Sequence, residues 1–144
     1  MRTLKVLLVE DDEDHVFLIR RAFADLMDAT VTVEVAGDGE QALERLARAR
    51  FEPGGPPQLV LLDLKMPRMD GLEVLRRIRS DESAHGLPVV VLTSSERQED
   101  REQALRLGAT WFVCKPTDGG RFRSEIQQLG DRWARPSLTG QADA

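Results

Sequence analysis

The 144-residue chain has one cysteine, two histidines and no tyrosine, and each scarcity excludes something. A lone Cys114 cannot close an internal disulfide, so packing alone must hold the fold, as suits a reducing compartment and an expected cytoplasmic location. His15 and His85, with that single thiol, do not make the His/Cys cluster of a structural zinc site. No apolar run approaches the roughly 20 residues that a membrane span needs. The opening Met1-Arg2-Thr3-Leu4-Lys5 reaches acids by Glu10, too soon for a secretion signal. With a formal net charge of -5 there is no dominant basic footprint, so direct nucleic-acid binding is not expected. Arg76, Arg77 and Arg79 cluster, but they read as a solvated helix face.

What is present is ordinary in amount and ordered in pattern. At 41% hydrophobic and 31% charged, the composition is that of a globular domain, and the length suits one. Five short apolar runs recur: Leu4-Lys5-Val6-Leu7-Leu8-Val9, the alternating Val31, Val33 and Val35, Leu59-Val60-Leu61-Leu62, Val89-Val90-Val91-Leu92 and Trp111-Phe112-Val113-Cys114. The third and fourth are unbroken, as in central parallel strands covered on both faces; the second has one wet face and belongs at or near an edge.

Between the runs lie helical stripes: Val16, Ile19, Phe23 and Leu26; Ala42, Leu43, Leu46 and Ala47; Leu72, Leu75 and Ile78; and Phe122, Ile126, Leu129 and Trp133. A very polar fourth segment, about residues 97–107, predicts the least stable helix. Gly130 inside the last stripe costs about 1 kcal/mol relative to Ala. Alternating strands and helices call for a parallel sheet with helices on both faces and right-handed crossovers. Residues 51–57 and 81–87 are long connections, and residues 134–144 read as a flexible tail too small to fold alone. No further output domain is expected.

In an open parallel sheet the functional crevice lies beyond the carboxyl ends of the strands. There the first run ends in Glu10-Asp11-Asp12, the third in Asp63, the fourth in Thr93-Ser94 and the fifth in Lys115-Pro116. Carboxylates gathered at close range repel, and either retained protons or a divalent cation relieves the repulsion; an all-oxygen, partly hydrated site suits Mg²⁺. Such a cation can bridge an acceptor carboxylate and a phosphoryl group, while an ammonium and a hydroxyl meet other phosphoryl oxygens.

Four pieces, each at the end of a predicted strand, resemble the receiver domains of bacterial two-component response regulators. They are Val9-Glu10-Asp11-Asp12, the segment from Leu62-Asp63-Leu64-Lys65-Met66-Pro67 to Asp70-Gly71, Leu92-Thr93-Ser94, and Gly108-Ala109 with Lys115-Pro116. The resemblance covers about residues 4–133. It implies a flavodoxin-like (βα)5 sandwich with strand order 2-1-3-4-5. It further implies that Asp63 is the phospho-acceptor, and that Asp12 ligates Mg²⁺ directly while Asp11 acts through water. The Lys65 backbone carbonyl would be a third protein ligand. Thr93 and Lys115 would meet the phosphoryl group, and the Lys115-Pro116 bond would be cis.

The resemblance extends to switching and partners. Phe112 occupies the place of a switch aromatic and lacks a phenol hydroxyl. The implied donor is a histidine kinase, phytochrome-like given the two long connections, or a phosphotransfer protein. The implied output is protein contact, including homodimerisation through helix 4, strand 5 and helix 5 (Leu107, Trp111, Phe122) or through a projecting last helix with Trp133. A phosphate sink, a relay intermediate and a non-phosphorylated scaffold of the same fold remain alternatives. A haloacid-dehalogenase-type phosphatase is disfavoured, because Asp63-Leu64-Lys65 lacks that family's second acid. Thr93 or Ser94 could also cap the fourth helix, with Ser95 available for that in any case. His15 reads as a surface histidine near the pocket rim, Cys114 as a core thiol, and Trp111 and Trp133 as core or partner surface.

Overall fold

The computed structural model describes residues 1–94, 97–115 and 119–136. Its parallel strands are β1 (Arg2–Val9), β2 (Ala29–Ala36), β3 (Leu59–Asp63), β4 (Val89–Thr93) and β5 (Trp111–Cys114). They lie in the order β2-β1-β3-β4-β5, as expected. The helices are α1 (Glu13–Ala24), α2 (Gly39–Ala49), α3 (Gly71–Ser80), α4 (Gln98–Arg106) and α5 (Gly119–Trp133). The connection at 81–87 folds into a 3₁₀ turn at Glu82–Ala84, started by the Asp81 carboxylate accepting from Ser83 N at 2.9 Å.

Alternation along the strands creates two cores. Leu4, Val6 and Leu8 of β1, with Leu59 and Leu61 of β3, face Ile19 and Phe23 of α1 and Phe122, Ile126, Leu129 and Trp133 of α5. Leu7 and Val9, with Val60 and Leu62, face Ala42 of α2, Val74, Leu75 and Ile78 of α3, and Ala104 of α4. Ala104 is the only fully buried residue of α4, which accounts for that segment's polar sequence. Trp133 is 9% exposed and Phe122 5%, so neither offers a surface anchor; of the three residues expected on the responding face, Trp111 alone projects, at 52%.

Among the described residues, α1, α2 and α3 begin on aspartate caps. Asp12 accepts from Asp14 N, Asp38 from Gln41 N and Asp70 from Glu73 N, at 2.9, 2.8 and 3.0 Å. Helix α4 instead starts after Arg97, with no side-chain cap bond, so Thr93 and Ser94 do not cap it; Ser95 lies outside the described residues. The Arg76–Arg79 cluster is local structure: Arg76 and Arg77 pair with Glu73, and Arg79 Nε donates to the Gly108 carbonyl at 2.8 Å.

The segment expected as a flexible tail from residue 134 is ordered through 136. Ala134 is buried in the α1/α5 core, and a two-residue strand, β6 (Arg135–Pro136), pairs antiparallel with Arg2 and Thr3 of β1. The cause is geometric. Pairing of β1 with β3 begins only at Val6, which leaves the first residues of β1 open on that side. Arg2 closes the join, its guanidinium bonded to Asp28 at 2.7 Å and to the Asp131 carbonyl at 2.9 Å. Residues 137–144 lie outside the described residues.

Candidate functional site

The register of the sheet brings one end of each inner strand to a common rim. Glu10 extends β1 by one bond, its N–H donating to Ala36 at 3.0 Å. Asp63, the last residue of β3, is paired with Leu92, and Thr93 with Cys114. Lys115 N then donates to Thr93 O at 2.7 Å, which carries the lysine past the end of β5 and back over the rim. Glu10, Asp63 and Thr93 are all buried, at 2%, 7% and 0% exposure.

One carboxylate oxygen from each of Glu10, Asp11 and Asp63 lies within 4.8 Å of the others, forming an acidic pocket among the described residues. Asp12 does not belong to this group. Its Oδ1 accepts from the Asp14 and His15 amides at 2.9 and 3.4 Å, so that oxygen caps α1. Desolvation pushes the Asp12 carboxyl upward, but those two amides bring it below its ordinary range. The acidic pair at the rim is therefore Glu10-Asp11, one residue earlier than the sequence reading placed it. The signal was available in the acids Glu13 and Asp14, which mark a helix first turn with Asp12 in the capping position.

The electrostatics fit a divalent cation. Glu10 Oε2 is buried without a hydrogen-bond partner. Burial, followed by the neighbouring Asp63 carboxyl, pushes Glu10 from 4.5 up to about 8, against the opposing pull of Lys115. An orphaned carboxylate oxygen beside two more carboxylates, one of them exposed to water, is a hard, all-oxygen donor set suited to Mg²⁺ or Mn²⁺. Asp63 Oδ1 is oriented by Lys65 N at 3.0 Å, leaving Oδ2 turned toward Lys115 Nζ at 3.5 Å.

The turn after Asp63 is shaped by close approach. Arg68 adopts a left-handed conformation at φ 70°. A Cβ on Gly71 would stand 2.5 Å from the Asp63 carbonyl oxygen and 2.7 Å from Leu64 Cα, so only glycine lets α3 start against the strand end. Phe112 is half-buried against the α2/α3 core. With Cys114 it lines the cleft between β5 and α4. Cys114 itself is only partly buried. Pro116 lies outside the described residues, and the expected cis bond with it.

His15, expected as a surface histidine near the pocket rim, is engaged with the site itself. It stands at the site, with Nδ1 2.9 Å from Lys115 Nζ and 3.0 Å from Glu10 Oε1. Periodicity alone could not separate it from any other polar residue in the first turn of a helix.

A family model, the response regulator receiver domain, matches residues 6–127. The chain belongs to the response-regulator receiver family. Among curated proteins, this receiver is 36% identical over 131 residues to a probable methanogenesis regulatory protein, FilR2, of Methanothrix harundinacea, covering 89% of this chain and 82% of that one. Among solved structures it resembles the phosphorylated cyanobacterial phytochrome response regulator RcpA (TM-score 0.83, 30% identity, 91% of this chain and 94% of that one). It also resembles the receiver domain of the sensor histidine kinase PA1611 of Pseudomonas aeruginosa PAO1, solved with a magnesium ion in its active-site cleft (TM-score 0.73, 30% identity, 91% and 97%). No helix among the described residues is long and apolar enough to cross a membrane.

Proposed function

We propose that this receiver takes a phosphoryl group onto Asp63 from a histidine kinase or phosphotransfer protein, in a Mg²⁺-dependent reaction, and reports the modification through protein contacts. The observation that carries the reading is the position of Asp63. Its carboxylate is buried at the end of β3, within reach of both the Lys115 ammonium and the Glu10-Asp11 pair. In transfer, an Asp63 oxygen forms a bond to phosphorus as the P–N bond of the donor phosphohistidine breaks, and the donor imidazole leaves with the electron pair. Lys65 N fixes the orientation of the nucleophile, and Lys115 meets the charge on the phosphoryl oxygens. Glu10, Asp11, Asp63 and the Lys65 carbonyl would hold Mg²⁺, which when bound neutralises charge shared between the carboxylates and the phosphoryl group.

Thr93, at the end of β4 and across from Cys114, is the hydroxyl proposed to follow the phosphoryl group. Phe112 is then the ring that repacks, since it lies on β5 directly beside Val91 and closes the cleft against α4. The exposed Trp111 makes the α4–β5–α5 face the proposed contact surface, for a second copy of the chain or for a target. Likeness to a phytochrome response regulator supports a phytochrome-like kinase as the donor.

The test is incubation with acetyl phosphate and Mg²⁺, followed by a phosphate-affinity gel on wild type and Asp63→Asn. A slow-migrating, acid-labile species in wild type alone is expected. Equal bands in both would sink the assignment.

A further inference from the structure

The Lys115 ammonium has three N–H bonds to direct and three acceptors within reach. Nζ is 2.5 Å from Glu10 Oε1, 2.9 Å from His15 Nδ1 and 3.5 Å from Asp63 Oδ2. The last distance is the outer limit of a hydrogen bond. The ammonium therefore leans on Glu10 and His15 and stands off from the acceptor carboxylate. His15 Nδ1 and Glu10 Oε1 are themselves 3.0 Å apart, so the three atoms form a tight triangle. An ammonium carries donors only, which fixes the other two corners as acceptors. In the tautomer that bonds to Lys115, the Nδ1 lone pair accepts from the ammonium and the imidazole proton sits on Nε2. The histidine is held there by its helix: it lies in the first turn of α1, where its own N–H is bound by the capping Asp12.

We propose that His15 is a positioning residue for phosphoryl transfer, whose Nδ1 lone pair parks Lys115 beside Glu10 and keeps Asp63 Oδ2 loosely paired until the phosphoryl group arrives. This rests on Asp63 being the acceptor. A carboxylate oxygen that accepts a short, charge-assisted bond is a poorer nucleophile, because the electron pair needed for attack is already engaged. Parking the ammonium 3.5 Å away avoids that penalty while keeping it beside the acceptor. No proton moves at His15 in the step. The O–P bond forms at Asp63, the bond to the donor's leaving group breaks, and Lys115 turns from His15 to the phosphoryl group.

Initial rates with acetyl phosphate and Mg²⁺ over a range of donor concentrations test this, comparing wild type with His15→Leu and His15→Asn. Leucine removes the acceptor, so Lys115 closes on Asp63. The saturated rate falls roughly five- to tenfold with little change in the half-saturating donor concentration. The asparagine side-chain oxygen stands near the place of Nδ1 and restores the rate to within about twofold. The lysine ammonium ¹⁵N resonance of Lys115 provides the second readout: it shifts in His15→Leu and returns in His15→Asn, which a merely structural role would not produce. A His15→Leu rate equal to wild type overturns the inference, as does His15→Asn failing alongside His15→Leu. If wild type labels on Asp63 and the variants do not separate, this inference alone falls. If Asp63 takes no label at all, the functional reading falls with it.

Discussion

Replacing Gly71 with alanine sets two forces against each other at the acceptor. Gly71 opens α3 with an ordinary negative φ, so an alanine there meets no backbone strain, and helix propensity alone would favour it by up to about 1 kcal/mol. Sterics oppose it. The new methyl would lie 2.5 Å from the Asp63 carbonyl oxygen and 2.7 Å from Leu64 Cα, whereas ordinary contact begins at 3.4 Å. Both obstacles are backbone atoms of buried residues at the end of β3, so relief requires moving α3 or Asp63 by close to 1 Å; overpacking of this kind costs about 1–3 kcal/mol. The net expectation is a loss of about 1 kcal/mol, or roughly 2–4 °C in Tm for a domain of this size. Because the displaced atom belongs to Asp63, labelling by acetyl phosphate should fall by more than stability does, on the order of tenfold to a hundredfold. Thermal melts and phosphate-affinity gels on Gly71→Ala read both quantities. Gly86→Ala is the control, since a Cβ there meets nothing within 4 Å; its Tm should stay within about 2 °C of wild type. A Gly71→Ala protein that melts at or above wild type would refute the steric argument, because propensity would then have won.

Exchanging the neighbouring acids should separate capping from metal binding: Asp12→Ala is expected to lose about 1 kcal/mol of stability with Mg²⁺ affinity nearly kept, and Asp11→Ala the reverse, as read by melts and by isothermal titration with MgCl₂. Glu10, raised from 4.5 to about 8 in the fold, contributes stability that is complete below about pH 4.5 and is lost as pH rises through about 8. In EDTA the wild-type Tm should therefore decline between pH 5 and 9, by a stability change of a few kcal/mol at most; Glu10→Gln should flatten the decline, and parallel curves would contradict it. Gly130→Ala sets a helix-propensity gain of about 1 kcal/mol against a Cβ placed 2.6 Å from Leu26 Cδ1 and 3.3 Å from the Phe23 ring. The expected result is a protein no more stable than wild type, and a clear rise in Tm would show that α1 and α5 can part without cost.

Long apolar runs made the sheet legible: the unbroken Leu59–Leu62 and Val89–Leu92 stretches are the central strands, and the alternating Val31, Val33 and Val35 lie on edge strand β2. Asp63 and Lys115 were legible because each follows such a run immediately. The acidic pair was displaced by one residue because three acids in succession carry no periodicity, and a one-residue slip past a strand end changes which side chain faces the pocket. The two residues of β6 are too few to carry a pattern, and Trp133 reads as core or partner surface until α5 is packed against α1. Gly130, a penalty on propensity grounds, lies where α5 closely approaches Phe23 of α1 and Leu26 just beyond it.

The antiparallel pairing of Arg135–Pro136 with the start of β1 has a mechanical consequence. Residues 2 and 136 lie side by side at the end of the sheet remote from Asp63, so tension applied at those two points would unzip two residue pairs and the Arg2 contacts before it reached the part of β1 that leads to Glu10. The same adjacency makes the fold a near-closed ring. A short peptide joining the two positions, with new ends opened at Gly54-Gly55, should yield a circular permutant that keeps the acceptor rim in one piece.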